Sequence, residues 1–124
     1  MLLSRSAKVF TKFTKSQFTR PFTQSKPILN METKTFILQY EYVDNMLELR
    51  KPFRAEHLEV ANNWVKELGC KAGGPFSDGS GAIFIFEATN KESVEALVQN
   101  DPYFKNGLIP KFHVKEWIVG IGKL

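Results

Sequence analysis

The feature that most constrains this chain is how its hydrophobic period switches along residues 34–121. KTFILQYEYVD (34–44) sets Phe36, Leu38, Tyr40 and Tyr42 against Ile37, Gln39, Glu41 and Val43. That alternation reads as a strand with one wetter face. NMLELRKP (45–52) reads as a loop, with Pro52 at the threshold of a helix. FRAEHLEVANNWVKELG (53–69) then changes to helical spacing, with Phe53, His57, Val60 or Ala61, Trp64 and Leu68 on one stripe and Gly69 as the stop. CKAGGPFSDGSG (70–81) is a short strand running into a Gly-rich turn. AIFIFEA (82–88) is a nearly continuous apolar strand, as expected of an interior position covered on both faces. TNKESVEALVQN (89–100) offers Thr89 and Asn90 as caps and gathers Val94, Leu97 and Val98 on one face. Asp101-Pro102 halts that helix, a short aromatic turn follows, and KFHVKEWIVGI (111–121) closes as a strand.

The order is β-α-β-β-α-β. It predicts an α+β, ferredoxin-like fold, with a four-stranded antiparallel sheet and both helices on one face. The other sheet face must be polar or packed. Phe36, Tyr40, Phe84, Phe86, Phe112 and Trp117 together make more apolar surface than a wet face carries. A homodimer with sheet against sheet is the expected solution. Alternation sends only about half of these side chains each way, so some face the helices instead.

Charge divides the chain in two. Residues 1–31 hold six basic residues and no acidic one, while Glu32 onward holds 11 basic and 13 acidic, a net −2. Residues 1–30 thus form a basic, Ser/Thr-rich leader, and residues 31–124 the domain. The leader has the composition of a mitochondrial transit peptide. Val9, Phe10 and Phe13 make a short apolar stripe beside the basic stripe of Lys8, Lys12 and Lys15. RPFTQSKPIL (20–29) resembles a two-step processing pattern, with cuts after Pro21 and after Leu29. The expected destination is the matrix. A non-targeting tail has the same composition, and initiation at Met31 would give a cytosolic form of the domain.

The remaining bulk properties exclude several classes. No apolar run approaches the roughly 20 residues of a membrane span. One cysteine, Cys70, rules out an internal disulfide framework or a multi-cysteine metal site. Two histidines are too few for a His-built zinc site without carboxylates, and His57 and Glu59, two apart on a helix, point away from each other. The Gly-rich turn lacks the spacing of a P-loop or dinucleotide fingerprint. Neither a metal nor a cofactor is expected. The domain's negative charge speaks against a nucleic-acid partner, which a ferredoxin-like sheet binds through exposed aromatics on a basic face.

His57 is the main candidate for chemistry, because it lies on the apolar stripe of its helix. A partly buried imidazole beside a carboxylate serves as general acid or base near neutral pH. A structural histidine, satisfied by backbone groups, fits the same pattern. Asp101 is the second candidate, and as Asp before Pro it also suits a plain turn cap. Arg54 can pair with a substrate carboxylate or be a solvated first-turn residue. Gly74 and Ser80, in the Gly-rich turn, and Tyr103, with Phe104, are the expected pocket walls. Most such turns are simple hairpin connections. Cys70 has no base near it in sequence and reads as inert, and His113 as solvated or structural.

FRAEHLEVANNWVKELG, AGGPFSDG, and AIFIFEATNKESVEALVQNDPYFKNGL with VKEW at the close together resemble the YCII-related domain family, over roughly residues 34–120. The resemblance implies a dimeric ferredoxin-like α+β barrel. The His and Asp shared in that family match His57 and Asp101, implying an enzymatic site. A related chloromuconolactone dehalogenase implies elimination or isomerisation on a small lactone or carboxylate. The family often has Arg-Pro just before the helix, whereas this chain reads Pro52-Phe53-Arg54-Ala55, so Arg54 matches less closely than His57. The expectation is a small lyase- or isomerase-type enzyme in which His57 moves a proton and Asp101 fixes its tautomer. The alternative is a non-catalytic module that binds a small ligand or a partner, with His57 and Asp101 as a structural pair.

Overall fold

The computed structural model describes residues 32–124. The expected leader, with the stripes and the two processing points read in it, lies outside the described residues. Strand β1 spans Lys34–Glu41, and a helical turn α1 spans Met46–Leu49. A 3-10 turn at Lys51–Phe53 leads into α2, Arg54–Glu67. Strands β2 (Cys70–Pro75) and β3 (Gly81–Ala88) follow, then α3 (Lys91–Val98), the short α4 (Pro102–Lys105) and β4 (Lys111–Glu116). All pairings are antiparallel, in the order β2-β3-β1-β4. This is the expected ferredoxin-like α+β arrangement.

The inward face of the sheet makes the core. Phe36, Leu38 and Tyr40 of β1 pair with Phe86, Phe84 and Ala82 of β3, and all six are buried. From α2, Trp64 sets its indole edge-on to Phe84, with ring centroids 5.4 Å apart, and lies 5.7 Å from Phe86. Val94 and Val98 bring α3 onto the same layer. Asn90 caps α3 by accepting the Ser93 N–H at 2.8 Å. Gly69 ends α2 at φ 86°, where a side chain would strike the Glu87 carbonyl.

Four details differ from the sequence reading. Residues 45–52 are not simple loop, because Met46 is buried and pins a helical turn. β1 stops at Glu41, the last residue with partners on both sides, Gly81 and Lys111. β4 stops at Glu116 rather than residue 121: the Trp117 N–H makes one more bond, to the Thr35 carbonyl at 2.8 Å, and β1 begins only one residue before that, at Lys34.

The fourth is which aromatic side chains lie on the open sheet face. Phe36, Tyr40, Phe84 and Phe86 all point toward the helices and are buried within the chain. Phe112 shares their face, opposite Tyr40, and packs on Phe104 with centroids 5.7 Å apart. Of the six aromatics, only Trp117 lies on the open face. That face is a shallow groove of about 500 Å³, lined by Ile37, Ile83 and Trp117 together with Gln39, Glu41, His113 and Lys115.

Candidate active site

Three elements converge on the Asp101 carboxylate. Asp101 precedes Pro102, which cannot continue α3 but suits the first position of α4. Its side chain caps α4, with Oδ1 accepting the Tyr103 N–H at 2.9 Å. His57, one helical turn into α2, places Nδ1 2.9 Å from that same Oδ1. Tyr40, next to the last residue of β1, donates its hydroxyl to Oδ2 at 2.8 Å. Asp101 is fully buried and His57 only 7% exposed. A buried carboxylate needs such donors, because an unpaired one is strongly disfavoured. The cap expected of an Asp-Pro turn and the pairing with His57 are therefore properties of one residue.

With Nδ1 committed to Asp101, the proton on that nitrogen is fixed, and Nε2 is left as the free nitrogen of the ring. His57 lines a cavity of about 240 Å³ between α2, β2 and α4. The aromatic ring of Tyr103 forms one wall, stacked on the imidazole at a centroid distance of 3.9 Å. Ala61, Val65 and Phe84 line the apolar part, and Arg50 and Arg54 supply positive charge. Neither arginine forms an ion pair among the described residues. The cavity is smaller than the usual range for drug-sized ligands, roughly 300–1,000 Å³, and suits a single small ring or short carboxylate.

The tyrosines around the site stay protonated. Burial, followed by the Asp101 charge and hydrogen bond, pushes Tyr40 far above its ordinary value. Burial also raises Tyr42, with the Tyr103 and Asp101 hydroxyl and carboxylate adding to it. Tyr103 is raised by burial too, while the charges of Arg50 and Arg54 pull it the other way. Its hydroxyl is buried without a hydrogen-bond partner among the described residues. Cys70 lines the cavity with its thiol pushed up by burial, which keeps it neutral and weakly nucleophilic.

The sequence-predicted residues divide cleanly. His57, Asp101, Arg54, Gly74 and Tyr103 come together, Asp101 as the support behind the histidine and the others as cavity lining. Ser80 does not reach the cavity. Its hydroxyl and N–H both donate to Asp78, at 2.7 and 2.9 Å, within the tip of the β2–β3 turn. Those bonds hold the Asp78 carboxyl below its usual range. Phe104 also faces away, toward Phe112. His113 is exposed and lies 3.2 Å from Glu41 on the open sheet face.

Tyr40, Tyr42, Arg50 and Gly73 were not singled out from sequence. Tyr40 carries a signal, since an inward-facing strand tyrosine must find a partner for its hydroxyl. Gly73 faces the core opposite Phe84, whose ring fills the space a side chain would take.

This arrangement defines a small ferredoxin-like α+β protein with a buried His–Asp pair at the edge of a cationic cavity. The chain belongs to the YCII-related domain family, whose family model matches residues 34–118. None of the curated proteins matches it in sequence. Among solved structures it is similar to 5-chloro-2-hydroxyhydroquinone dehydrochlorinase from Burkholderia phenoliruptrix, in complex with 2,5-dihydroxybenzoquinone. That similarity has 26% identity and a TM-score of 0.61, over 69% of this chain and 95% of the other. A putative antibiotic biosynthesis monooxygenase from Bacteriodes thetaiotaomicron is similar at 12% identity and a TM-score of 0.47, over 75% of this chain and 94% of the other. A protein of unknown function from Nitrosomonas europaea is similar at 17% identity and a TM-score of 0.45, over 76% of this chain and 95% of the other.

Proposed function

We propose that this protein is a small enzyme that transfers a proton on a compact anionic substrate, leading to elimination or isomerisation. The observation that carries this reading is the His57–Asp101 contact of 2.9 Å, which leaves Nε2 free at a cavity also lined by Arg50 and Arg54. His57 Nε2 takes a proton from carbon next to a carbonyl or, on a hydroxylated aromatic ring, from a hydroxyl of its keto tautomer, and the electron pair of the broken C–H or O–H bond is left as an enolate. Collapse of the enolate either expels a leaving group with its bonding pair or takes back a proton at another carbon. No oxidant or reductant enters. Asp101 is a positioning residue that holds the tautomer and balances the charge that forms on the imidazole. The dehydrochlorinase similarity supports elimination as the first reaction to assay.

The test is release of chloride from 5-chloro-2-hydroxyhydroquinone, alongside a panel of small unsaturated lactones and carboxylates, by the wild type and His57→Asn. The asparagine amide can still donate to Asp101 but cannot replace Nε2. Turnover by the wild type and a loss of about a hundredfold or more in the variant is the expected result. Equal rates would end the proposal. A non-catalytic binding module is favoured by one observation, that Asp101 also ties Tyr40 and the Tyr103 N–H together and so has a structural task of its own. Its signature is no turnover of any panel member while one of them raises the melting temperature.

We propose that the open sheet face pairs with a second copy of the chain, supported by Ile37, Ile83 and Trp117 on that face. We also propose a matrix location, supported by the acid-free basic leader. Fusing residues 1–31 to a fluorescent reporter tests it, with diffuse cytosolic signal as the contrary result.

A further inference from the structure

The Tyr103 hydroxyl is the one buried side-chain polar atom among the described residues that lacks a hydrogen-bond partner. Leaving such a group unpaired is unfavourable, and in native structures it points to a role. The ring carrying it is fixed from both sides. It stacks on His57 within 9° of parallel, and the backbone N–H of the same residue donates to Asp101. Tyr42 meets it edge-on, with ring centroids 6.3 Å apart. The hydroxyl therefore cannot swing away to find a partner. The Arg54 guanidinium lies beside the hydroxyl, near enough to act on it both as a charge and as a hydrogen-bond donor although no formed hydrogen bond joins the two, and Arg50 adds a second positive charge.

We propose that the Tyr103 hydroxyl, with Arg50 and Arg54, forms an oxyanion site for the charged oxygen of a planar enolate or ring phenolate. This rests on the proton-transfer reading of the same cavity and names its substrate class. When His57 takes a proton from carbon, the resulting charge delocalises onto the conjugated oxygen. A neutral phenol beside two guanidinium groups is suited to receive it, since the phenol donates a hydrogen bond and the arginines supply the charge. A flat ring fits because the stacked His57 and Tyr103 rings and the glycine-bearing backbone of β2 both line the cavity. The hydroxyl is sealed from water, and Arg54, which lines the same cavity, is exposed. Tyr103 is thereby a specificity-determining donor and not only a wall.

The probe is 2,5-dihydroxybenzoquinone, a flat ring with acidic hydroxyls, titrated by calorimetry into the full chain and its variants. The wild type is expected to bind, and Tyr103→Phe to bind about ten- to a hundredfold more weakly, as for loss of a hydrogen bond to a charged group. Arg50→Gln and Arg54→Gln are expected to weaken binding and reduce its salt dependence. Because Tyr103→Phe removes only an unpaired hydroxyl, its melting temperature should equal or exceed that of the wild type. Failure of the wild type to bind, equal binding by Tyr103→Phe, or a lower melting temperature for that variant would each overturn the inference. The two proposals separate because His57→Asn tests turnover, whereas Tyr103→Phe tests probe binding with His57 intact. Loss of turnover in His57→Asn with unchanged probe binding in Tyr103→Phe rejects the oxyanion site and leaves proton transfer standing.

Discussion

The rings of His57 and Tyr103 lie face to face, with centroids 3.9 Å apart and planes 9° from parallel. The stack and the Asp101 contact together fix both the tilt and the rotation of the imidazole. The electron-rich face of Tyr103 also supports positive charge developing on that ring. Tyr103→Leu removes the stack but keeps an apolar side chain and the backbone N–H that Asp101 accepts. The expected outcome is a fall in kcat of about tenfold or more, in line with loss of orientation at a reacting group. Nitrogen NMR of His57 should show the Nδ1–H signal broadened relative to the wild type. An unchanged kcat and a sharp signal would show that Asp101 alone orients the ring.

Asp101 receives hydrogen bonds from α2, β1 and its own helical turn, through His57 Nδ1, the Tyr40 hydroxyl and the Tyr103 N–H. Asp101→Ala leaves all three donors without their acceptor. The expected cost is about 3 kcal/mol or more, because orphaned buried donors lose their full desolvation penalty. Asp101→Asn should cost less, since one amide oxygen still accepts. Urea denaturation of the two variants checks the order. A loss below about 1 kcal/mol for Asp101→Ala would mean that water replaces the carboxylate.

Much of this was legible in the sequence, for physical reasons that differ by residue. The switch of period from strand to helix identified every major element. The stripe position of His57 and the Asp-Pro junction at Asp101 marked both halves of the central pair. Distance was not legible, because 44 residues separate the two and only the fold closes that gap. Alternation separated Phe36 from Ile37 but could not say which face the helices would cover. Four core aromatics were therefore counted toward an open face that Ile37, Ile83 and Trp117 line instead. Arg50 went unnoticed because a four-residue helix carries too little periodicity to stand out from a loop. Ser80 was misplaced because side-chain bonds inside a turn follow its local conformation, not its composition.

Tyr40, Tyr42 and Tyr103 all have raised phenol pKa values in the folded chain, each chiefly from burial. In the unfolded chain they ionise near 10. Between that value and the higher native ones, the unfolded state has released protons that the native state keeps. Stability is thus fully present below about pH 10 and falls as pH rises above it. Tyr40, the most strongly shifted, should alone contribute a slope of about 1.4 kcal/mol per pH unit. Urea midpoints at pH 9, 10 and 11 check this, and Tyr40→Phe should flatten the decline. A flat profile from pH 9 to 11 would show that these phenols ionise in the native state as readily as in the unfolded one.

Two neighbouring glycines of β2 should respond in opposite ways. A side chain at Gly73 would overlap the Phe84 ring on the core side, whereas at Gly74 it would meet nothing within 4 Å. Gly73→Ala is expected to destabilise by about 1–3 kcal/mol, as overpacking does, and to narrow the cavity that Gly73 lines. Gly74→Ala should stay within about 0.5 kcal/mol of wild type. Thermal melts of the two variants compare them directly. Equal stability would mean that β2, already irregular between Cys70 and Ala72, shifts to absorb the extra carbon.

Trp117 reports on the open sheet face. Trp64 is buried at 1% exposure and Trp117 is 39% exposed, so the two indoles separate core from surface in fluorescence. Ile37, Ile83 and Trp117 form the apolar part of the groove, while Glu41 and Lys115 add charge that a second copy would have to match. If the face pairs with a second copy, Trp117→Glu places a carboxylate against its counterpart and should disfavour association. Light scattering is then expected to give twice the chain mass for the wild type and the single-chain mass for Trp117→Glu. Iodide quenching should reach both indoles poorly in the wild type and should reach Trp117 readily in a Lys115→Glu variant that has lost the pairing. A wild type that scatters as a single chain at micromolar concentration would reject the pairing. The His57 cavity, on the other side of the sheet, would then have to be complete within one chain.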